Sequence, residues 1–368
     1  MRIYLDDAAT TAPAPEVISV MKDCLAFNYG NPSSTHFIGD VARHSIDRAR
    51  ESIAKYIGAE PEEIYFTSGG TESDNWALKS LAEQHPGGHI ITTKIEHHAI
   101  LNTCEWLEKH GIEVTYLDVD RYGIVSCADI EAAIRPNTFL ISIMFANNEI
   151  GSIQPIAQIG EIAAAHNIVF HTDAVQAMRH LQINVKEMHI DMMSVSGHKF
   201  NGPKGVGFLY ARNGVRLTPL IHGGSQEHGL RAGTYNTPGI VGMAIALDLP
   251  EYPLEEKRDY FIQKIMKEIP GAFLNGSYTR LPNNVNICFK GCQGEMILEM
   301  LNQYGIYASS GSACNSDSEE PSYVLKAIGL SDEDANASIR FTLPQNITYN
   351  ELDYVVVILS DIIKRLTV

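Results

Sequence analysis

Lys199 is the first residue in this sequence whose surroundings suggest chemistry. It lies within SVSGHKFNGPKGVGFLY, residues 194–210, where an apolar run ends in Ser196-Gly197-His198 and a Gly/Pro-rich turn precedes the next run. A lysine just past a strand end is most often a solvated surface charge. One set among small and hydroxyl residues can instead sit in a confined site, lose its proton and form a Schiff base. A second segment, FHTDAVQ at 170–176, puts Asp173 just after another apolar run. A carboxylate there can cap a helix. It can also pair with a protonated ring nitrogen, which turns an aromatic cofactor into an electron sink. If a helix begins at Asp173, Gln176 would reach a ring substituent.

Three further segments place polar groups after apolar runs. FTSGGTES at 66–73 combines a glycine pair, hydroxyls and the start of a helical pattern, an anion site built from backbone N–H groups. It matches neither the P-loop nor the GxGxxG pattern, so a nucleotide is not favoured. Lys94-Ile95-Glu96-His97-His98 offers an imidazole that could stack on a ring and exchange protons near neutral pH. Adjacent histidines point in different directions on most backbones, which disfavours a metal site there, and we assign no metal ligands. Asn147-Asn148-Glu149 stands in the equivalent place after its own apolar run.

The elements that would position these groups alternate along the chain. Strands are expected at 64–66, 89–93, 113–117, 139–145, 169–171, 192–195 and 207–210, with helices at 72–84, 99–110, 126–134 and 156–166 between them. That pattern predicts an α/β layer with a mostly parallel sheet, whose ligands bind beyond the carboxyl ends of the strands. Past Leu249 the pattern changes to a helix at 254–269, a strand at 284–289, a helix at 295–304, a strand at 338–343 and a helix at 349–366. Thr348 and Glu351 read as a capping box for the last of these. We therefore expect a large domain over residues 16–250 and a smaller α+β domain over 251–368.

Composition narrows the function. The 368 residues are 45% hydrophobic and 20% charged, as in an ordinary globular protein. A formal net charge of −16 disfavours nucleic acid or an anionic membrane as a direct partner. No apolar run is long enough to span a bilayer and MRIYLDD lacks the apolar core of a signal peptide, so a cytoplasmic protein is expected.

Cys24, Cys104, Cys127, Cys288, Cys292 and Cys314 show no metal-site spacing, and most read as small buried hydrophobes. Cys314 differs. It lies in SSGSACNSDSEE, residues 309–320, where an exposed thiol has no packing purpose. Asp317, Glu319 and Glu320 should raise its pKa in the resting protein.

Taken together, YLDDAATT at 4–11, NPSS at 31–34, FTSGGTES at 66–73, NNEIG at 147–151, HTDAVQA at 171–177, SGHKFNGPKGVG at 196–207 and RAGT at 231–234 resemble the cysteine desulfurases of the class V aminotransferases. The resemblance covers nearly the whole chain. It implies a fold type I transferase that uses pyridoxal 5'-phosphate (PLP), a seven-stranded sheet, and an N-terminal segment 1–15 packed on the smaller domain. Lys199 would carry the cofactor, Asp173 would pair with its ring nitrogen, and His97 would stack on the ring and handle protons. Asn148 and Gln176 would contact ring substituents, and Asn148 would also meet the substrate. Gly70, Thr71, Ser196 and His198 would hold the phosphate, with Thr234 reaching across from the second subunit of a homodimer. Arg340 would hold the carboxylate of L-cysteine.

SGSAC followed by EPSYVL resembles the desulfurases with a long catalytic loop, which makes Cys314 the expected sulfur acceptor. Two positions depart from the family: Asp7 stands where asparagine is usual, and Pro344-Gln345 replaces a more usual Gly-Arg. Only 28 residues, 341–368, follow Arg340, fewer than in relatives whose extension docks the iron–sulfur scaffold. The expected recipient of sulfur is a scaffold of different shape or a tRNA-thiolation enzyme. Selenocysteine lyase is the competing activity on the same fold.

Overall fold

The computed structural model describes residues 2–250, 252–311 and 320–367. Its central feature is a seven-stranded sheet in the order Ile64–Thr67, Gly207–Ala211, Met192–Ser196, Val169–Asp173, Thr138–Ser142, His89–Thr93, Glu113–Leu117. Gly207–Ala211 runs antiparallel to both neighbours, and every other pairing is parallel. All seven expected strands form because each carries an apolar run that helices cover on one or both faces. Helix Phe37–Ile57 buries Ile46, Ile53 and Ile57 and ends at Gly58, whose φ of 75° is the left-handed turn that lets the chain reverse.

Two expectations need correction. The fourth run was expected over 139–145, but the regular strand is Thr138–Ser142. Ile143 and Phe145 stay buried and still donate to the carbonyls of His171 and Asp173. The chain is leaving the ladder to form the turn that Asn147 Oδ1 fixes by accepting from Glu149 and Ile150 N–H. Nor does a helix start at Asp173. Asp173 is the last residue of its strand, Ala174 N–H donates to the Ser194 carbonyl, and Asp173 Oδ1 accepts from Val175 N–H. The sheet ladder and a side-chain-to-backbone turn take the groups a helix would have used.

A second layer lies around the antiparallel sheet Ala272–Leu274, Asn284–Phe289 and Ser338–Thr342, in which Asn284–Phe289 is central. Helix Tyr349–Leu366 begins at the expected Thr348/Glu351 capping box. Its buried stripe, Leu352, Val355, Val356, Leu359, Ile362 and Ile363, follows helical spacing. Burying such side chains contributes about 1.5–3 kcal/mol each. Ile3 and Leu5 join this same apolar cluster. Ile3–Tyr4 pairs in parallel with Ile306–Tyr307, and Asp6 bridges to Thr342. From there residues 8–11 cross to the first layer, where Thr11 N–H donates to the His198 carbonyl.

Candidate active site

The carboxyl ends of five sheet strands meet at one cavity of about 220 Å³. Gly70, Thr71, His97, Asn148, Asp173, Gln176, Ser196, His198, Lys199 and Arg340 all line it, ten positions singled out from the sequence. Thr234 does not. It is exposed on a loop that Arg231 ties to Glu72, in the first turn of helix Gly70–Gln84, with Nε–Oε1 at 2.8 Å. Cys314 lies outside the described residues.

Lys199 follows a short turn after Met192–Ser196, and its Nζ donates to the carbonyls of Ala8 at 2.7 Å and Ala9 at 2.8 Å. Gln176 Nε2 donates to the Ala8 carbonyl as well. The AATT segment thus forms one wall, which no local pattern foretold. His97 caps helix His98–Glu108, its Nδ1 accepting from Ala99 N–H at 3.1 Å. That bond leaves the proton of the neutral ring on Nε2. Burial lowers the His97 pKa, against the pull of Asp173.

Three carboxyls are buried at or beneath the cavity: Asp74, Glu96 and Asp173. Burial raises the pKa of all three, with Glu96 pushed up to about 8. Of the three, Asp173 alone has ionisable basic neighbours that oppose this rise, His97 and Lys199, together with Val175 N–H. Asp173 is therefore the carboxylate best placed to be the anion, while burial and the nearby Asp173 favour the neutral acid at Asp74. Beneath them His171 bonds Ser142 Oγ and Ser194 Oγ, each at 2.9 Å, and burial depresses its pKa to about 3. Its Nε2 stands 3.7 Å from Asp74 Oδ1.

Asp74 and Glu96 were not singled out from the sequence. For Asp74 a signal existed, since 70, 71 and 74 fall on one face of a helix. One oxygen or nitrogen each of Asp74, His97 and Asp173 lies within 4.8 Å of the others.

Three residues that line the cavity each carry a buried polar atom with no hydrogen-bond partner among the described residues: Asp74 Oδ1, Asn148 Oδ1 and Arg340 Nε. Such atoms are uncommon unless a ligand completes them. An acidic cluster with one anion, a lysine and an imidazole suits a cationic aromatic ring. The start of the fifteen-residue helix Gly70–Gln84 opens beside it on a second cavity, with Thr71, Ser196, His198 and Lys204 in its wall. Donors at a helix N-terminus suit a phosphate. The residues present therefore fit PLP.

This sheet, with its lysine and aspartate at the carboxyl edge, has the architecture of fold type I. The aminotransferase class-V profile matches residues 3–355, and the chain belongs to that family. Among its relatives, a cysteine desulfurase IscS of Methanosarcina thermophila is 52% identical, over 99% of this chain and 92% of its own. A cysteine desulfurase IscS of Dictyoglomus turgidum is 51% identical, over 99% and 95%. A solved NifS-like protein superposes with a TM-score of 0.92 at 38% identity over 100% of both chains. A structure of SspA in complex with cysteine gives 0.86 at 43% identity, over 94% of this chain and 100% of its own.

Proposed function

We propose that this protein is a cysteine desulfurase that converts L-cysteine to L-alanine and passes the sulfur to Cys314 as a persulfide. What carries the reading is the convergence of Lys199, Asp173, His97 and Arg340 on one cavity in a chain with full-length desulfurase relatives. Lys199, Asp173, His97, Asn148 and Gln176 would hold the ring of PLP. Gly70, Thr71, Ser196 and His198 would hold its phosphate, with Thr234 contributed by a second copy in a homodimer. When bound, PLP withdraws electrons from the substrate α-carbon.

The protein's own residues supply the rest. Arg340 binds the carboxylate and orients the amino acid. The amine of Lys199, once free, removes the α-proton, and His97 handles protons at Nε2. The Cys314 thiolate attacks the substrate sulfur. The S–S bond forms as the C–S bond breaks, its electrons stay with the β-carbon, which takes up a proton, and the α-carbon regains its proton to give alanine. The reading takes residues 16–250 as the domain that holds the cofactor. Residues 251–368, with 1–15, form the smaller one bearing Arg340 and Cys314.

No helix among the described residues is long and apolar enough to cross a membrane. We place the enzyme in the cytoplasm. Its sulfur would go to an acceptor protein, an iron–sulfur scaffold or a tRNA-thiolation enzyme. The test is to give L-cysteine and a thiol reductant to the purified holoenzyme and to quantify products. The reading expects equal amounts of alanine and sulfide, and neither with Lys199→Ala. Cysteine consumed without alanine would overturn it.

A further inference from the structure

Glu149 follows the ring-contacting candidate Asn148 and is only 1% exposed. Its backbone is held on two sides. The N–H donates to Asn147 Oδ1 at 2.8 Å, and the carbonyl accepts from Asn284 Nδ2 at 3.2 Å and Asn286 Nδ2 at 3.0 Å. Its carboxylate is bonded to the far end of the stretch that contains Cys314 and lies beside the near end. On the far side, Ser322 Oγ donates to Glu149 Oε2 and also caps helix Tyr323–Ala327 by accepting from Leu325 N–H. On the near side the carboxylate lies beside Gly311, where an added Cβ would be 3.4 Å from Oε2.

The two ends are anchored to the site as well. Ser309 exchanges backbone hydrogen bonds with Arg340, at 3.2 and 2.7 Å, and its hydroxyl donates to the Gly311 carbonyl. Tyr323 OH donates to the carbonyl of Glu96, the residue before His97, at 2.6 Å. Arg340 Nη1 donates to the Asn148 carbonyl. The same short turn therefore touches the substrate-holding arginine through Asn148 and the far flank of the acceptor stretch through Glu149.

A buried carboxylate is a costly way to join elements, and an apolar side chain would suit the neighbouring cluster of Ile95, Met144, Ile150, Val324 and Leu325. What a carboxylate adds is directed, charge-assisted hydrogen bonding. We propose that Glu149 is a positioning residue for sulfur transfer, fixing the far end of the Cys314 stretch, through Ser322, to the wall that carries Asn148 and Arg340. This rests on the desulfurase reading.

The test is a single turnover of L-cysteine by the full-length holoenzyme, following the visible absorbance change on substrate arrival and, after acid quench, persulfide on the Cys314 peptide. In Glu149→Ala the absorbance phase should stay within about twofold of the unaltered rate. Persulfide formation should slow by about tenfold or more, the scale expected of a small misplacement of a reacting group. Glu149→Gln keeps an oxygen that can accept from Ser322 and should fall between the two. Ser322→Ala should slow persulfide formation in the same sense, and it decides the matter if Glu149→Ala does not fold. Hydrogen exchange at 320–323 should quicken in the slowed variants. An unchanged persulfide rate would overturn the proposal. So would equal slowing of both phases, because Glu149 would then act on substrate binding. If the unaltered holoenzyme forms alanine but no persulfide at all, the desulfurase reading falls and this proposal with it.

Discussion

Arg340 Nη2 lies 2.8 Å from Asp6 Oδ1, so the arginine assigned to the substrate carboxylate already has an anionic partner. Arg340 is 1% exposed, whereas the Asp6 side chain is 18% exposed and can be re-solvated. A buried guanidinium left alone would be costly, and Asp6 supplies its counter-charge. Arg340 Nε has no hydrogen-bond partner among the described residues, and on the proposed reading this is the part of the fork that takes the incoming carboxylate.

Competition between Asp6 and substrate predicts opposite effects of two variants. Asp6→Asn removes the competing anion, and KM for L-cysteine should fall by about threefold or more, the scale of a weak ion pair. Arg340→Lys keeps the charge but loses the planar fork, and KM should rise by about tenfold or more. Steady-state kinetics on the two holoenzymes checks both.

Asp173 and Asp74 should separate by charge. Asp173→Asn removes the anion and should lower kcat by about a hundredfold or more, the scale of losing a preorganised electrostatic partner. Asp74→Asn replaces a neutral acid with a neutral amide and should change kcat by about threefold at most. Measuring the visible absorbance of each holoenzyme against pH adds an independent readout. Its titration should move in Asp173→Asn and stay put in Asp74→Asn.

Asp7 gives a stability prediction. It is 9% exposed, and burial, with Asp6 beside it, raises its pKa from 3.8 to about 7. A carboxyl that holds its proton more tightly when folded favours the folded state below its unfolded pKa. That advantage is lost as pH rises through the folded pKa, at roughly 1.4 kcal/mol for each pH unit that separates the folded from the unfolded pKa. Asp7→Asn should therefore flatten the pH dependence. Urea denaturation should find the variant more stable than the unaltered protein by about 2–4 kcal/mol near pH 8, with little of that difference near pH 4.

These residues mark how far the sequence could be read. The strands were legible because each is a short run rich in apolar and β-branched residues, as at Met192–Ser196 where all five residues are buried. The site was legible wherever a polar residue directly follows such a run, as His97, Asn148 and Lys199 do. The contacts of Ala8 with Lys199 and of Asp6 with Arg340 span 191 and 334 positions, and no local pattern encodes them. Gln176 reached the cavity by a tight turn rather than the helix that would have placed it. Glu149 was quoted within NNEIG, but its task depends on Ser322, far along the chain.

The acidic residues around Cys314 predict a thiol that is unreactive at rest. In the free enzyme, its alkylation rate should titrate at or above the ordinary thiol pKa of about 8.5. With a bound substrate analogue the titration should move down. A low apparent pKa in the free enzyme would sink the idea that the site activates this thiol.

The central claim is that sulfur leaves cysteine for Cys314. Its most direct measurement is mass analysis of every cysteine-containing peptide after the holoenzyme has turned over L-cysteine without reductant. The account predicts one added sulfur on the Cys314 peptide and none on those of the buried Cys24, Cys104, Cys288 and Cys292. An unmodified Cys314 alongside full alanine formation would contradict it.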